Sequence, residues 1–509
     1  MKNISYLDMV KEILNESEFF EFEKCYNNPV KKSIKILSHR GYKNNKSDLY
    51  NVIYSTISDQ RDLSEPDFSY NWNKYNDALF ATRKKNLKPS SLWSHYLHQA
   101  WLIYVQEMAA SLSVQMLWVE PWDYVLDMCA APWGKSVQIA DSLLSSWTQW
   151  RILGDTQDSS ANASEWQNAG FLISNEIDQW RKKALESNLH RCGIFNVWVI
   201  NQDWCVIWDK FPETFDKVMV DAPCSWEWMQ YKSDKKVRQR DEKKSKKLSD
   251  LQIQLLISWL KSLKVWGELV YSTCTTNVLE NEYVVSEVLK EYWDEIELLP
   301  VPLDEKSDWI CSWRWNEILS HENAKKVARL WPHVHWTGGF FIAKFKKCLS
   351  FWNKPHPNPL LIGEGKHEVL GEVKIWEKLS TWWISPIPDL DFFISKYTVN
   401  IAPKSLIQSH FENKINIEIW LPIFKILEDK KNNSQKLIPL VWIAQIFGHL
   451  ATQNVLEIND EQLKWLMEKR DLNDERLEKY EWNFVILKWN WVGVWLVSVQ
   501  KWIWKNKCF

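Results

Sequence analysis

The sequence predicts an α/β protein built around a mostly parallel sheet with helices on both faces, and three features carry that expectation. From Leu102 to about Phe345, apolar strand-like runs alternate with amphipathic helical stretches, the order such a sheet requires. One run, Tyr124-Val125-Leu126-Asp127, passes into the small-residue loop Met128-Cys129-Ala130-Ala131-Pro132-Trp133-Gly134 and then into a helical stretch. Two later runs, Lys217 to Val220 and Glu268 to Tyr271, each deliver a cysteine just beyond the strand, Cys224 and Cys274.

Along the chain, residues 1–100 mix helical stretches with one strand-like run, Ser33 to Leu37, behind the basic pair Lys31 and Lys32. They read as a small α/β appendage. Residues 101–348 form the core, with further strands expected at Phe171 to Ile173 and Val197 to Ile200. Residues 349–372 carry Pro and Gly at the density of a linker. Residues 373–509 read as a separate domain, whose last run, Asn483 to Trp504, alternates apolar and polar residues like a hairpin or small barrel. No repeat of solenoid period is present.

Bulk properties narrow the function class. At 509 residues, 45% hydrophobic and 25% charged, the chain has globular composition and length for several domains. No run reaches the ~18 unbroken apolar residues of a membrane span, and the acidic, amphipathic start is unlike a signal peptide. A cytoplasmic protein without membrane attachment is expected. The nine cysteines form no CxxC pair and lack metal-type spacing with histidine, so neither a disulfide framework nor a metal site is expected. With a net charge of −2, any nucleic-acid contact must come from local basic patches.

One figure is abnormal: 36 Trp stand against 13 Gly, where average usage gives roughly 7% Gly, about 36 residues, and only a handful of Trp. The two counts look exchanged. This is the pattern expected when a genetic code reads UGA as glycine and the chain is written as though UGA meant tryptophan. A chain that is truly rich in Trp would place the excess in its core; misread glycines fall in turns and tight loops. Trp122, Trp133, Trp204, Trp226, Trp228, Trp266 and Trp336 sit at such places, and glycine is the residue expected there.

The strand, loop and helix at 124–136 suit a ligand held at the carboxyl end of a sheet, where small residues let backbone amides approach. The loop lacks the GxGxxG of dinucleotide sites, so NAD is disfavoured. Asp127-Met128-Cys129-Ala130-Ala131-Pro132-Trp133-Gly134-Lys135 resembles the cofactor loop DxCAAPGGK of the Sun/Nop-type RNA (cytosine-5) methyltransferases, departing from it at Trp133. The run Asp221-Ala222-Pro223-Cys224-Ser225-Trp226-Glu227-Trp228 resembles the family's DAPCSGxG, and Tyr271-Ser272-Thr273-Cys274-Thr275 its YSTCT. Further similarity lies at Ile103 to Glu107, Asn281-Glu282, Arg329 to His333 and Thr337 to Phe341.

The resemblance, which covers roughly residues 25–345, implies a Rossmann-like class I methyltransferase core, an N-terminal RNA-binding appendage and, more weakly, a C-terminal PUA-like RNA-binding domain. It implies S-adenosyl-L-methionine as cofactor, held by Cys129, Ala130, Ala131, Pro132, Trp133, Gly134 and Lys135, by Glu176 for the ribose, by Asp203 beside the adenine, and by Asp221. Glu176 lies further from Asp127 than the roughly 20 to 30 positions expected. Part of 148–168 therefore looks inserted, and Asp155 is the alternative ribose partner.

By the same resemblance, Cys274 attacks C6 of a cytosine, Cys224 assists release, and Asp221 hydrogen-bonds the base near N3. Thiols suit this chemistry because C5 of cytosine accepts a methyl group only after a potent, reversible nucleophile has added at C6. Attack on the base face requires an extruded or single-stranded cytidine. Basic residues from Lys232 to Lys247 lie between the two cysteine motifs and are candidates for phosphate contact. Ribosomal RNA is the expected substrate, with transfer RNA the alternative, and the protein is expected to act as a monomer. Two other readings stay open: a non-catalytic RNA-binding ribosome-assembly protein on the same fold, and a DNA cytosine-C5 methyltransferase using Cys224 of the Pro-Cys pair.

Overall fold

The computed structural model describes residues 6–26, 32–37, 61–64, 78–83, 95–130, 134–147, 170–203, 208, 211–225, 242–303, 310–314, 316–335 and 337–351. Beyond these it describes 379, 390–395, 398–403, 421–429, 434–440, 442–447, 451, 453–468, 472, 474–480, 484–490 and 492–498. The expected linker at 349–372 and inserted segment at 148–168 lie almost wholly outside the described residues.

Helices α1 (Tyr6–Ile13) and α2 (Glu16–Tyr26) open the chain. Strands β1 (Lys32–Ile36), β2 (Arg61–Ser64), β3 (Ala78–Arg83) and β4 (Ile103–Gln106) make an antiparallel sheet in the order β2-β3-β1-β4. The expected strand at Ser33 to Leu37 is thus β1. The sheet takes its fourth strand from the core side of the expected boundary at residue 100, because Ile34 pairs with Val105. The short helix α3 (Tyr96–Gln99) precedes β4.

The core follows α4 (Met108–Leu117). Strands β5 (Tyr124–Asp127), β6 (Phe171–Asn175), β7 (Val197–Ile200), β8 (Phe215–Asp221) and β9 (Leu263–Thr273) are those read from the sequence. The parallel order is β7-β6-β5-β8-β9. Helices α5 (Gly134–Trp147), α6 (Gln179–Arg191) and α7 (Glu242–Ser262) connect these strands, and α8 (Glu282–Glu291) follows β9. Strand β10 (Ile296–Leu299), the two-residue pair β11 (Ser312–Trp313) and β12 (Asn316–Glu317), and β13 (Ala328–Leu330) lead to β14 (Phe340–Lys347), which pairs antiparallel with β9.

Alternation along each strand feeds two cores. Val125, Leu172, Val199, Met219 and Val270 point to one side, with Leu112 of α4 and Val137 and Ala140 of α5. Leu126, Ile173, Val218, Val220 and Tyr271 point to the other, against Leu256 and Trp259 of α7 and Val285 of α8. The sheet is therefore covered on both faces, as a Rossmann-like core requires. The chain winds outward from β5 through β6 to β7, then returns to β8 on the other flank of β5. That reversal opens a crevice at the carboxyl ends of β5 and β8, where open α/β sheets bind ligands.

In the C-terminal part, β15 (Leu390–Ser395), β16 (Thr398–Pro403), β17 (Leu421–Asp429) and β18 (Ser434–Pro439) form an antiparallel sheet; β19 (Val455–Glu457), β20 (Phe484–Trp489) and β21 (Val492–Ser498) form a second. The expected final hairpin is β20 and β21. Leu456, Val485 and Leu487 share a core with Ile34, Ile36 and Ile103 of the N-terminal sheet. Among the described residues no helix is long and apolar enough to cross a membrane.

The backbone bears on the tryptophan question. Trp101, Trp118 and Trp266 have φ of 54°, 51° and 71°, in the left-handed region where a Cβ is costly and glycine is at ease. Trp118 caps α4 with its N–H on Gln115 O, the place where helices favour glycine. Asn490, which follows the Trp489–Val492 pair at the end of β20, has φ of 45°, the left-handed conformation that hairpin turns favour for Asn and Gly. Trp122 and Trp266 are 63% and 66% exposed, contrary to core enrichment. Trp133, Trp204, Trp226, Trp228 and Trp336 lie outside the described residues.

Two outcomes follow. Mass analysis of the native peptide from Cys129 to Lys135 is expected to show glycine at 133; a mass containing Trp133 contradicts the reading. In the Trp-containing chain, Trp266→Gly should be more stable than Trp266→Ala by about 1 kcal/mol in denaturant melts, because both remove the ring and only glycine relieves the left-handed backbone. The opposite order would show that the position does not require positive φ.

Candidate active site

The crevice is built from strand ends. Asp127 closes β5 fully buried, and its Oδ2 accepts a 2.6 Å hydrogen bond from Ser136 Oγ at the start of α5. Burial pushes its carboxyl up to about 7. Its Oδ1 has no hydrogen-bond partner among the described residues. The loop beyond is pinned by its backbone: Met128 N–H donates to Met219 O of β8 at 3.2 Å, and Ala130 N–H to Asn175 O of β6 at 3.1 Å. Met128 and Ala130 thus tie the loop to the two neighbouring strands, with Cys129 between them; Ala131, Pro132 and Trp133 lie outside the described residues. Gly134 begins α5, and Lys135 follows within the same first turn.

On the next strand ends, Glu176 follows β6 and is 1% exposed. Its Oε1 accepts the Asp178 N–H at 3.0 Å, and its Oε2 lies 3.7 Å from Arg181 Nε. Asp203 follows β7 and is exposed. Two asparagines that the sequence reading did not single out hold these ends together. Asn175 Nδ2 donates to Gln202 O at 3.1 Å while its Oδ1 accepts the Gln202 N–H at 2.9 Å, and Asn201 Nδ2 donates to Glu176 O at 2.6 Å. Register places Glu176 directly after the strand beside β5; the alternative, Asp155, is outside the described residues. The acidic Glu176, the buried unpartnered oxygen of Asp127 and the small Ala130 suit a ligand carrying hydroxyls and an amine.

Across the reversal, Asp221 ends β8. Its Oδ2 pairs with Lys135 Nζ at 2.6 Å, and its Oδ1 accepts from Ser272 Oγ at 3.2 Å. The parallel register sets Asp221 against Ser272 of β9, so the residues just past the two strands meet. Cys224 Sγ and Cys274 Sγ are 2.8 Å apart. The hydrogen bond with Cys224 pushes the Cys274 thiol well up from its ordinary value, burial adds to this, and Lys135 works the other way.

Behind Cys274 the loop is tied down. Thr273 Oγ1 donates to Asn281 Oδ1 at 2.6 Å, Asn281 Nδ2 donates to Thr275 O at 3.0 Å, and buried Arg329 donates to Thr276 O at 2.8 Å while pairing with both oxygens of Glu282. Glu107 Oε1 accepts the Gly338 N–H at 2.5 Å, which joins the Ile103–Glu107 run to the segment before β14. Of the basic run, Lys243, Lys244 and Lys247 are exposed on the first turns of α7, whereas Lys246 donates to Tyr283 OH at 2.6 Å. Lys232 to Arg240 lie outside the described residues.

Comparison with known proteins agrees with this arrangement. Residues 160–346 match the family model described as 16S rRNA methyltransferase RsmB/F. That match covers most of the parallel sheet and both cysteine loops, so this part of the chain is similar to the RsmB/F family. The chain is 28% identical over 348 residues to Ribosomal RNA small subunit methyltransferase F of Photobacterium profundum, covering 67% of this chain and 63% of that protein. It is 31% identical over 275 residues to the 28S rRNA (cytosine-C(5))-methyltransferase of Mus musculus, covering 53% of this chain and 30% of that one. The chain thus spans less than two thirds of the length of either relative. A methyltransferase homolog from Pyrococcus horikoshii has the same fold, with a TM-score of 0.51 and 26% identity over 65% of this chain and 91% of its own.

The raised Cys274 thiol gives a pH signature. A thiol held above its ordinary value of 9.0 is protonated at neutral pH, and its thiolate fraction climbs about tenfold per pH unit until that value is passed. In the ligand-free protein, iodoacetamide labelling of Cys274, read by peptide mass, should rise by about that factor per unit through pH 9. A plateau below pH 8 would contradict the geometry.

Proposed function

We propose that this protein is an S-adenosylmethionine-dependent methyltransferase that modifies C5 of a cytidine in RNA, ribosomal RNA being favoured over transfer RNA, through a covalent adduct on Cys274. The observation that carries the reading is the meeting of two thiols from separate strand ends, 2.8 Å apart, beside an acid–ammonium pair on the same rim. When bound, S-adenosylmethionine supplies the methyl group. Glu176, Asp203 and the 127–135 loop are the groups that would hold it, as in other doubly wound folds.

The residues act in order. Cys274 passes its proton to the Asp221 carboxylate and adds as thiolate to C6 of an unstacked cytosine, placing electron density on C5 and N3. Asp221, in its carboxylic acid form, donates a hydrogen bond to the base near N3 and stabilises that charge, with Lys135 holding the side chain in place. Once C5 carries the methyl group, its remaining proton passes to a base, Cys224 or a water molecule that Cys224 positions, as the C5–C6 double bond re-forms and the Cys274–C6 bond breaks; this is how Cys224 assists release. The exposed lysines at the start of α7 contact the phosphate backbone, which gives salt-dependent binding. Relatives named as rRNA methyltransferases support the RNA class.

Trapping tests the assignment. Incubated with RNA and S-adenosylmethionine, Cys224→Ala should accumulate a protein–RNA adduct that survives denaturing electrophoresis, and Cys274→Ala should form none. An adduct in Cys274→Ala protein would overturn the nucleophile, and the DNA reading would return if Cys224 proved to carry it on DNA.

A further inference from the structure

One buried carboxylate touches both cysteine loops. Glu280 is fully buried. Its Oε2 accepts the backbone N–H of Ser225, the residue after Cys224, at 2.9 Å. The same oxygen accepts from Gln252 Nε2 at 3.3 Å, and that amide also donates to Pro223 O, just before Cys224, at 2.8 Å. Its Oε1 accepts from Asn277 Nδ2 in the loop after Cys274 at 2.6 Å. Its backbone is fixed as well, since Tyr271 OH of β9 donates to Glu280 O at 2.7 Å.

We propose that Glu280 is a positioning residue for the reaction: its carboxylate ties the backbone flanking Cys224 to the loop following Cys274 and so sets the separation of the two sulfurs. This rests on reading Cys274 and Cys224 as the reacting thiols. The tie is not replaceable by ordinary packing, because Ser225, Gln252 and Asn277 all donate to the carboxylate and the acceptor must serve two segments more than fifty residues apart in sequence. Burial pushes the carboxyl up and the hydrogen bonds from Ser225, Asn277 and Gln252 pull it back down. Glutamine at this position keeps the shape but turns an N–H toward one of those donors.

The test reads sulfur separation without RNA. Diamide oxidises two adjacent thiols, taking their two hydrogens to become the hydrazide as the S–S bond forms; peptide mapping then follows the Cys224–Cys274 pair. At a temperature where circular dichroism shows both proteins folded, Glu280→Gln should couple the pair about tenfold or more slowly than the parent, since displacements near 1 Å change such rates by orders of magnitude. On RNA, kcat should fall by a similar factor with KM for S-adenosylmethionine unchanged. Asn277→Ala, a milder release of one loop only, should slow both in the same direction, and it decides the question if Glu280→Gln fails to fold. Coupling within about twofold of the parent overturns the inference. So does a loss of kcat matched by an equal rise in KM for the cofactor. An RNA assay in which the parent itself is inactive would sink the functional reading, while the coupling rates would still decide whether Glu280 sets the sulfur distance.

Discussion

Everything at the site depends on parallel pairing across the reversal of the sheet. Because β5, β8 and β9 run in the same direction and in register, Asp127, Asp221 and the segment around Cys274 leave the sheet on one rim. An antiparallel β8 would send Cys224 to the opposite edge, away from Cys274. The two cores on either face serve that alignment: burying both sides of every central strand fixes register, since a one-residue slip would turn each apolar set to the wrong face.

On this frame the electrostatics are arranged around burial. Taking carboxyls and thiols out of water raises them toward their neutral forms, and the structure answers with one ammonium, Lys135, paired with Asp221 beside the sulfurs. Cys274 is therefore held as a protonated thiol in contact with Cys224. A base entering between Cys274 and Asp221 would replace the thiol–thiol contact, removing the largest influence that holds the proton on Cys274. On the proposed reading, substrate entry and nucleophile activation are in this way one event. The loop network through Asn281, Thr275 and Arg329 ties down the backbone behind Cys274.

Much of this was legible in the sequence because the relevant signals are local. The core strands are short apolar runs, the acidic and thiol residues sit within a few positions of their ends, and the motifs at 127–135, 221–228 and 271–275 are contiguous. What the sequence did not reveal is non-local. Asn175 and Asn201 act by joining β6 to β7, and Glu280 serves partners at 225, 252 and 277; no spacing along the chain marks an acceptor whose donors come from three elements. The fourth strand of the N-terminal sheet, Ile103–Gln106, was read as part of the core for the same reason: its partner, β1, lies some seventy residues earlier. The glycine-like tryptophans were visible as a compositional oddity, but only backbone angles single out Trp101, Trp118 and the loop at Asn490.

The central claim is that this rim methylates C5 of cytidine in RNA. The direct measurement is to incubate native protein with ribosomal RNA and isotopically labelled S-adenosylmethionine, digest the RNA to nucleosides, and identify the labelled one by mass spectrometry. The account predicts label in 5-methylcytidine, and none when Cys274 is replaced by alanine. Label in any other nucleoside, or label in 5-methylcytidine that survives loss of Cys274, would contradict it.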